Sequence, residues 1–318
     1  MRSHARILVG AVLLVVVAGA GCASALPSPS PTAVPTAEAT ASPSPTPTPT
    51  PTPTATPIPL DQAMLARRLT VLVVGIDSNA SRRAAQDPVN TDALMVVSVS
   101  ADRSRIDLIS LPRDTVDIPM ADGSTYHHKI NSIAAKLGIE ALRGGMATLL
   151  GIQIDRYLVI DMDDFTWMVD AVGGIAIDVP APISDPKVHL TLKAGPIQMD
   201  GATALAYSRT RFDNDYGRAA RQQQVLLALA RAWLDPGASA LLGAAMRLRS
   251  VQTDIPFTEL PTLLEIGRRS AAASVTAAVL KPPRYSLFVG NEPNSRRGWV
   301  MIPNVAEMRR YARAALAD

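Results

Sequence analysis

The sequence predicts a three-layer α/β/α domain built around a central mixed β-sheet. The chain has 318 residues, of which 47% are hydrophobic, so it is long enough to bury a sizeable core. A continuous apolar run and a β-hairpin pattern open the folded region. Segments with helical spacing then alternate with strand-like segments, and this alternation is typical of a sheet covered by helices.

The predicted strands lead the folded region. Leu69–Ile76 is a continuous apolar run, typical of a buried strand. Ala93–Ser100 and Arg105–Leu111 are strand-like and are separated only by the short segment ADRS, which favours a hairpin. Further along the chain, Arg156–Asp161 and Ile175–Val179 also have strand patterns.

Helices are predicted where apolar residues recur every three to four positions, often with glycine at the end. These segments are Ile130–Leu137, Ile139–Leu150, Met162–Val172, Arg218–Leu234, Ala238–Arg249, Phe257–Ala272 and Val305–Ala317. We therefore expect residues 61–318 to form the folded domain, with its chemical motifs within residues 69–235 and a helical C-terminal part over residues 236–318.

Residues 1–22 are predicted to be an export signal with a lipoprotein-type anchor. Arg2 and Arg6 precede an uncharged stretch, and small residues lead up to Cys22, the only cysteine of the chain. This order is typical of a secretory signal, and a cysteine at its end resembles the lipidated residue of bacterial lipoproteins. An uncleaved helix or a conventionally cleaved signal remains the alternative. In each case we expect the rest of the chain outside the cytoplasmic membrane.

Residues 23–60 are predicted to be a disordered linker rich in Pro, Thr and Ser. Pro27–Pro59 holds 12 of the 26 prolines of the chain. Proline interrupts helices and central strands, and the segment has too little apolar surface for a core. In a polyproline II conformation each residue spans ~3.1 Å, so the segment has a reach on the order of 100 Å.

Composition excludes several classes of function. With a single cysteine the chain has no intrachain disulfide and no zinc or iron–sulfur site made of several cysteines. The formal net charge is only +3, and no basic arm or recognition-helix pattern supports nucleic-acid binding. The export signal also separates the chain from DNA, so we expect no nucleic-acid partner.

Two carboxylates lie at predicted strand ends. Asp77 directly follows the strand Leu69–Ile76, and Asp92 precedes the next strand. The carboxyl end of a central strand is where open α/β sheets bind ligands, and the loop between the two residues could bring both carboxylates together. Two carboxylates with open water positions suit Mg²⁺. The alternative is that each aspartate only caps a turn or a helix.

Arginines concentrate in two further places. Arg113 and Asp114 leave the predicted hairpin together and need partners, whether each other, a metal or a phosphate. A stretch of thirteen residues later in the chain carries four more arginines: Arg209, Arg211, Arg218 and Arg221. Their forked donors match phosphate oxygens. In an extended segment, the first two of these would project to the same side. Asp213 and Asp215 could neutralise part of this charge, so a solvated face with salt bridges remains the alternative.

Eight segments resemble the LytR–CpsA–Psr (LCP) family, in the order in which that family has them. They cover about residues 69–235 and read VGID (Val74–Asp77), NTDALMVVSV (Asn90–Val99), SLPRDT (Ser110–Thr115), HKIN (His128–Asn131), LLGIQID (Leu149–Asp155), VDAVGGIAIDV (Val169–Val179), MDGATALAYSRTR (Met199–Arg211) and DYGRAARQQQ (Asp215–Gln224). The resemblance implies an LCP-like fold for the extracytoplasmic domain.

Members of that family are membrane-anchored extracytoplasmic enzymes. They transfer an anionic glycopolymer from a polyprenyl-pyrophosphate carrier to peptidoglycan or another wall glycan. The resemblance implies that Asp77 and Asp92 hold Mg²⁺, or Mn²⁺ in its place, and that Asp77, Asp92, Arg113 and Arg211 are catalytic. The pyrophosphate contacts that it implies are Arg113, Lys129, Arg209, Arg211, Arg218, Arg221 and Gln222.

One position departs from the family pattern. Asn90 stands where the family commonly has arginine, so one phosphate contact is lost or replaced, and Arg82 and Arg83 are candidates to replace it. Two other functions remain open: a pyrophosphatase that hydrolyses the carrier with the same residues, and a non-catalytic scaffold that binds the carrier. The pair Asp77 and Asp92 argues against the scaffold, because a protein that only binds has little need of a metal.

Overall fold

The computed structural model describes residues 58–85, 89–234, 251–293 and 295–317. Cys22, most of the predicted linker and the predicted helix Ala238–Arg249 lie outside the described residues. In the described part, the strands are β1 (Leu69–Ile76), β2 (Thr91–Val99), β3 (Arg105–Ser110), β4 (Ile118–Pro119), β5 (Thr125–Tyr126), β6 (Arg156–Ile160), β7 (Ile175–Val179), β8 (Ile183–Asp185), β9 (Leu190–Leu192), β10 (Gly195–Met199), β11 (Gln252–Thr253), β12 (Ser274–Val279), β13 (Ser286–Asn291) and β14 (Trp299–Pro303).

The helices surround these strands. They are α1 (Gln62–Leu65), α2 (Ala80–Ala84), α3 (Ile133–Leu137), α4 (Ile139–Leu150), α5 (Met162–Ala171), α6 (Gly201–Arg209), α7 (Asp215–Leu234), α8 (Leu260–Arg269) and α9 (Val305–Ala315). None of the helices within the described ranges is long and apolar enough to cross a membrane.

Six strands form the main sheet, in the order β11–β6–β1–β2–β3–β12. The neighbours β1 and β2 are antiparallel, as are β2 and β3, whereas β1 and β6 are parallel, as are β3 and β12. The sheet is therefore mixed. Smaller pairs (β4–β5, β7–β10, β8–β9 and β13–β14) lie outside it.

Both faces of the sheet are covered, because side chains alternate along each strand. Val71 and Val73 of β1 belong to one apolar core together with α5, α6, α7 and α8. Leu72 and Val74 belong to a second core together with α3, α4 and α9. This double burial explains why β1 reads as an uninterrupted apolar run. The prediction of a three-layer α/β/α fold is confirmed.

A β-bulge at the end of β1 prepares the functional site. Gly75 pairs with Ala93, but Ile76 pairs with Thr91, so Asp92 is the extra residue in β2. A Cβ at Gly75 would lie 3.0 Å from the Cβ of Ala93, which explains why glycine is needed at this close approach. The bulge lies one residue pair before the end of the ladder and puts Asp77 and Asp92 at the same end of the two central strands.

The chain enters the domain at the other end of the sheet. The carbonyl oxygens of Met64, Leu65 and Arg67, at and just after α1, accept hydrogen bonds from the buried guanidinium of Arg103 over 2.8–3.1 Å. Arg103 itself lies in the β2–β3 turn with a φ of 65°. The entry segment is thereby held at the amino end of β1, far from Asp77.

The expectation that residues 236–318 are helical is wrong in part. Helices α8 and α9 are present, but β12, β13 and β14 are strands in the same region. β12 joins the edge of the main sheet by parallel pairing with β3, and its side chains are exposed or half-buried. A strand of small residues at an edge needs no apolar pattern, so the sequence SVTAAV shows none of the periodicity that identifies a buried strand.

Candidate active site: a charged rim above an apolar cavity

Asp77 lies just beyond β1 and is held by backbone and side-chain contacts. Its N–H donates to the carbonyl oxygen of Asn90 over 3.0 Å. One carboxylate oxygen, Oδ2, lies 2.5 Å from Nη1 of Arg82, and the other, Oδ1, lies 3.5 Å from Nη2 of Arg209. Of the two substitutes considered for the arginine missing at Asn90, Arg82 reaches the site. Arg83 instead pairs with Asp161 and Asp163.

Asp92 faces a second pair of arginines. Its Oδ1 lies 2.6 Å from Nη1 of Arg113, and its Oδ2 lies 3.9 Å from Nη1 of Arg218. Burial acts to lower the pKa of Arg113, but the attraction and hydrogen bond of Asp92 outweigh it and raise that pKa. Arg113 is therefore a permanent cation, and Oδ2 of Asp92 has only the more distant contact with Arg218.

Lys129 and Asp114 extend this group of charges. The Lys129 ammonium lies 2.7 Å from Oδ1 of Asp114, and Nε of Arg113 lies 3.8 Å from Oδ2 of the same carboxylate. The loop after β3 and the segment before α3 meet here because the N–H of Ile130 donates to the carbonyl of Thr115. The structure thus joins the PRD and HKIN motifs through their charged side chains.

The charged side chains around Asp77 and Asp92 are called the rim, and its cations are Arg82, Arg113, Lys129, Arg209, Arg211 and Arg218. Arg218 is the most buried of these cations. Only 4% of the residue is exposed, and it lies 3.4 Å from Asp215, one turn earlier in α7. Burial, followed by repulsion from Arg211, lowers the pKa of Arg218 to about 10. Among the described residues no group accepts a hydrogen bond from its Nε. The site therefore holds a cation with too little counter-charge, which favours an incoming anion.

Arg209 and Arg211 are placed differently from the extended arrangement considered above. Arg209 is the last residue of α6, Thr210 has extended backbone angles, and Arg211 follows in the turn. Both arginines are exposed, at 46% and 43% of their side chains. Arg211 pairs with Asp215 at 2.9 Å. The SRTR motif therefore lies at a helix end and in the segment that follows it, and not in a strand.

Arg221 does not reach the rim. Its guanidinium donates to both oxygens of Asp213, over 2.9 and 3.1 Å, and to the carbonyl of Thr210, and it stacks on Phe212 at 4.9 Å. A Cβ at Gly217 would lie 1.8 Å from the same Asp213 carboxylate, so glycine leaves room for this contact. Arg221 holds the turn that carries Arg211, and we assign it a positioning role.

An apolar cavity of about 120 Å³ lies directly below the rim. Asp77, Asp92, Arg209 and Gln222 line its polar end, and the Gln222 amide donates to the carbonyls of Ser208 and Asp92 over 3.3 and 3.4 Å. The rest of the lining is Val73, Val74, Gly75, Ile76, Ala93, Met95, Ile160, Asp161, Met162, Phe165, Leu205, Ser208, Val225, Leu226 and Leu229. The sheet and helices α5, α6 and α7 thus form a mainly apolar cavity whose opening, or mouth, lies at the charged rim.

The rim carries an excess of positive charge. Its ion pairs in the described residues connect six cationic side chains with the four carboxylates of Asp77, Asp92, Asp114 and Asp215. The sequence already indicated Asp215 as a carboxylate that could neutralise part of the arginine cluster, whereas it indicated Arg82 only as a substitute for the arginine missing at Asn90. Four arginines in thirteen residues indicate that a carboxylate must lie nearby. The sequence does not indicate that helix α2 directs Arg82 toward Asp77.

Comparison with known proteins identifies the family. The chain matches the LytR_cpsA_psr family over residues 42–289. It is 28% identical over 230 residues to biofilm regulatory protein A of Streptococcus mutans, with 67% of this chain and 56% of that protein covered. It is 31% identical over 174 residues to the polyisoprenyl-teichoic acid–peptidoglycan teichoic acid transferase TagV of Bacillus subtilis, with 52% and 44% covered. The chain spans about half the length of these relatives.

The fold agrees with this result. The crystal structure of B. subtilis TagV superposes with a TM-score of 0.64 at 26% identity, and the match covers 79% of this chain and 98% of that one. The motifs that predicted the family lie inside the matched region, and six of the eight carry charged side chains of the rim. The chain belongs to the LytR_cpsA_psr family.

Proposed function

We propose that this protein is a phosphotransferase that moves an anionic glycopolymer from a polyprenyl-pyrophosphate carrier to peptidoglycan or another wall acceptor. The observation that supports it is the apolar cavity directly below an arginine-rich rim. A polyprenyl pyrophosphate has the same two parts, an apolar tail and a doubly charged head. The name of the related transferase TagV points to the same class of reaction.

The tail of the carrier occupies the cavity in this proposal. Val225, Leu226 and Leu229 of α7 and Phe165 of α5 contribute apolar side chains to its lining. Each buried CH₂ group of an apolar ligand contributes ~0.8 kcal/mol, so a prenyl tail supplies much of the binding free energy. The tail also fixes the depth at which the pyrophosphate lies, namely at the level of Asp92, Arg209 and Gln222.

The rim then binds and orients the pyrophosphate. Arg113, Arg209, Arg211 and Arg218 donate from fixed positions to its oxygens, with Lys129 at the edge of the group and Gln222 as a neutral donor. An acceptor hydroxyl attacks the phosphorus that carries the glycan, and the P–O bond toward the second phosphate breaks. Polyprenyl phosphate leaves, and the hydroxyl proton passes to it or to water. Fixed cations stabilise the charge that develops on the leaving phosphate, which is the main way in which proteins accelerate phosphoryl transfer.

The donor set of the rim fits a divalent cation. Asp77 and Asp92 supply two carboxylates at one mouth, and no group of three or more His, Cys, Asp or Glu that could hold a metal occurs in the described residues. Mg²⁺ commonly takes one or two carboxylates and completes its coordination with water and substrate phosphate. Asp77 and Asp92 would hold Mg²⁺ or Mn²⁺, which when bound neutralises phosphate charge.

The proposal includes the location of the protein. The N-terminal signal and Cys22 support a site on the outer side of the bacterial cell membrane, with anchoring through a lipid or an N-terminal helix. Both the carrier and the wall acceptor are accessible on that side of the membrane.

Binding of a short polyprenyl pyrophosphate tests the proposal. Arg209→Ala and Arg211→Ala should weaken binding roughly ten- to a hundredfold, because a charge-assisted hydrogen bond contributes ~1.5–3 kcal/mol. Arg211→Lys keeps the charge but loses the fork, so it should recover only part of the loss. Melting temperatures should stay unchanged, since both side chains are exposed. Lower melting temperatures with unchanged affinity would make these arginines structural.

Product analysis separates transfer from hydrolysis. Purified protein is incubated with a carrier-linked glycan and peptidoglycan, and the phosphorylated products are identified by mass spectrometry. Glycan phosphate attached to peptidoglycan supports the transferase. Free glycan phosphate at the same rate with and without acceptor would instead make the protein a pyrophosphatase.

A further inference from the structure

Helix α2 carries two adjacent arginines that have different partners. Arg83 pairs with Asp161 and lies 3.3 Å from Oδ2 of Asp163, both at the start of α5. The N–H of Ala80 donates to the same Asp163 carboxylate over 2.6 Å. These contacts fasten α2 to α5, so Arg83 secures the short helix to the body of the domain.

Arg82 points from the same helix to the rim. Its Nη1 lies 2.5 Å from Oδ2 of Asp77, and 30% of its side chain is exposed. Asn79 caps α2 by accepting a hydrogen bond from the backbone N–H of Arg82 over 2.8 Å. The backbone at Arg82 is thus fixed independently of the ion pair, and the guanidinium can exchange partners without loss of the helix.

The carboxylate that Arg82 holds is one of the two that the proposed function assigns to a divalent cation. Mg²⁺ approaches carboxylate oxygens to ~2.0–2.1 Å. A guanidinium nitrogen 2.5 Å from the same oxygen would then share one atom with a dication, and repulsion between the two like charges weakens both contacts. A metal ion that enters at Oδ2 of Asp77 therefore competes with Arg82 for that oxygen.

The displaced guanidinium has a second partner within the site. A pyrophosphate at the rim brings several oxygens with the spacing that an arginine fork matches. Arg209, the other partner of Asp77, is 3.5 Å away from Oδ1 and does not compete for the same oxygen. Of the two arginines at Asp77, Arg82 is therefore the cation whose partner changes when metal and substrate bind.

We propose that Arg82 is an exchanging cation: it neutralises Asp77 in the free protein and moves to a pyrophosphate oxygen when a divalent ion takes that carboxylate. The inference rests on the proposed function and adds a residue to it. Arg82 competes with the metal and also binds the substrate. One substitution should consequently change two affinities in opposite directions, which a purely structural arginine would not do.

The test measures both affinities on the full-length protein in detergent. Free Mn²⁺ is counted by electron paramagnetic resonance, and geranyl pyrophosphate is titrated by calorimetry at saturating Mn²⁺. Arg82→Ala should bind Mn²⁺ about tenfold more tightly and geranyl pyrophosphate about tenfold more weakly, the size expected for one charge-assisted bond. Arg82→Lys should keep a Mn²⁺ affinity near that of wild type and give an intermediate affinity for the pyrophosphate.

Arg83→Ala is the matched control, since it removes the same charge one residue away. It should change the Mn²⁺ affinity less than twofold and lower the melting temperature, because Asp161 loses its partner. Equal tightening of Mn²⁺ by Arg82→Ala and Arg83→Ala would attribute the effect to net charge and overturn the exchange, as would weaker binding of both ligands to Arg82→Ala. Unchanged affinities in Arg82→Ala overturn the role of Arg82 alone. A wild-type protein that binds neither probe overturns the proposed function as well.

Discussion

Arg218→Met should make the free protein more stable and the binding site weaker. Arg218 is 4% exposed, and burial followed by repulsion from Arg211 lowers its pKa to about 10. The residue is charged at pH 7 in both the folded and the unfolded chain, so the cost of burying that charge is fully present there. The cost disappears only as the pH rises above about 10, where the folded protein releases the proton first.

The size of the effect follows from the pKa. A fall from the ordinary arginine value to about 10 corresponds to ~3 kcal/mol at 1.36 kcal/mol per pKa unit. Methionine keeps the length of the side chain and removes the charge. Asp92 and Asp215 keep partners in Arg113 at 2.6 Å and Arg211 at 2.9 Å, so neither carboxylate is left alone. We expect the free energy of unfolding to rise by up to ~3 kcal/mol, in the range seen when buried ion pairs are replaced by apolar groups.

Thermal unfolding with and without geranyl pyrophosphate measures both effects. For a domain of this size ~1 kcal/mol shifts Tm by roughly 2–4 °C, so Arg218→Met should melt several degrees higher without ligand and lose most of the ligand-induced stabilisation. Arg231→Met, at an exposed position of the same helix, should leave both values near those of wild type. A variant Arg218→Met that melts several degrees lower and binds as well as wild type would refute the reasoning.

Three further outcomes are expected. Asp77→Asn or Asp92→Asn should abolish transfer with little change in Tm, and chelated wild-type protein should regain activity with Mg²⁺ or Mn²⁺; full activity in excess chelator would contradict the metal site. Leu205→Trp narrows the cavity and should weaken binding of a long polyprenyl pyrophosphate at least about tenfold, the cost of ~1.4 kcal/mol, but not that of inorganic pyrophosphate; equal binding of the long carrier would place the tail elsewhere. Cys22→Ala should release the protein from membranes or leave its signal uncut, whereas unchanged retention with an intact signal peptide would indicate a transmembrane anchor.

The strands at the centre of the fold were predictable, and those at its edge were not. β1, β2 and β3 are buried, so their apolar runs and the short hairpin connection identify them. β12 is half exposed and consists of small residues, so nothing in its sequence distinguishes it from a loop or a helix end. Helix α6 was also missed as a helix, because its residues GATALAYSR are mostly small and lack a clear apolar stripe.

In the site, contacts between residues close in the sequence were predictable, whereas the choice of partner among residues close in space was not. Asp77 and Asp92 flank one loop, and pairing of the strands on either side brings them to one mouth, as the sequence predicts. Arg218 and Arg221 are three residues apart on α7, yet only Arg218 reaches Asp92, because Asp213 captures Arg221. Helical spacing predicts a shared face, but it does not predict which carboxylate each arginine selects.

The position of the chain entry has a consequence for the membrane attachment that the proposed function includes. Arg103 holds α1 at the amino end of β1, and β1 runs eight residues away from it to Asp77, a distance of ~26 Å. A mouth that takes its substrate from the bilayer, as the proposed function requires, has to face the lipid. The predicted N-terminal tether would then have to pass the full height of the domain to reach the entry point. The 33 residues of Pro27–Pro59 have a maximal reach on the order of 100 Å, which is long enough to connect the membrane with an entry point on the far side of the domain. A tether of only a few residues would instead hold the mouth away from the membrane.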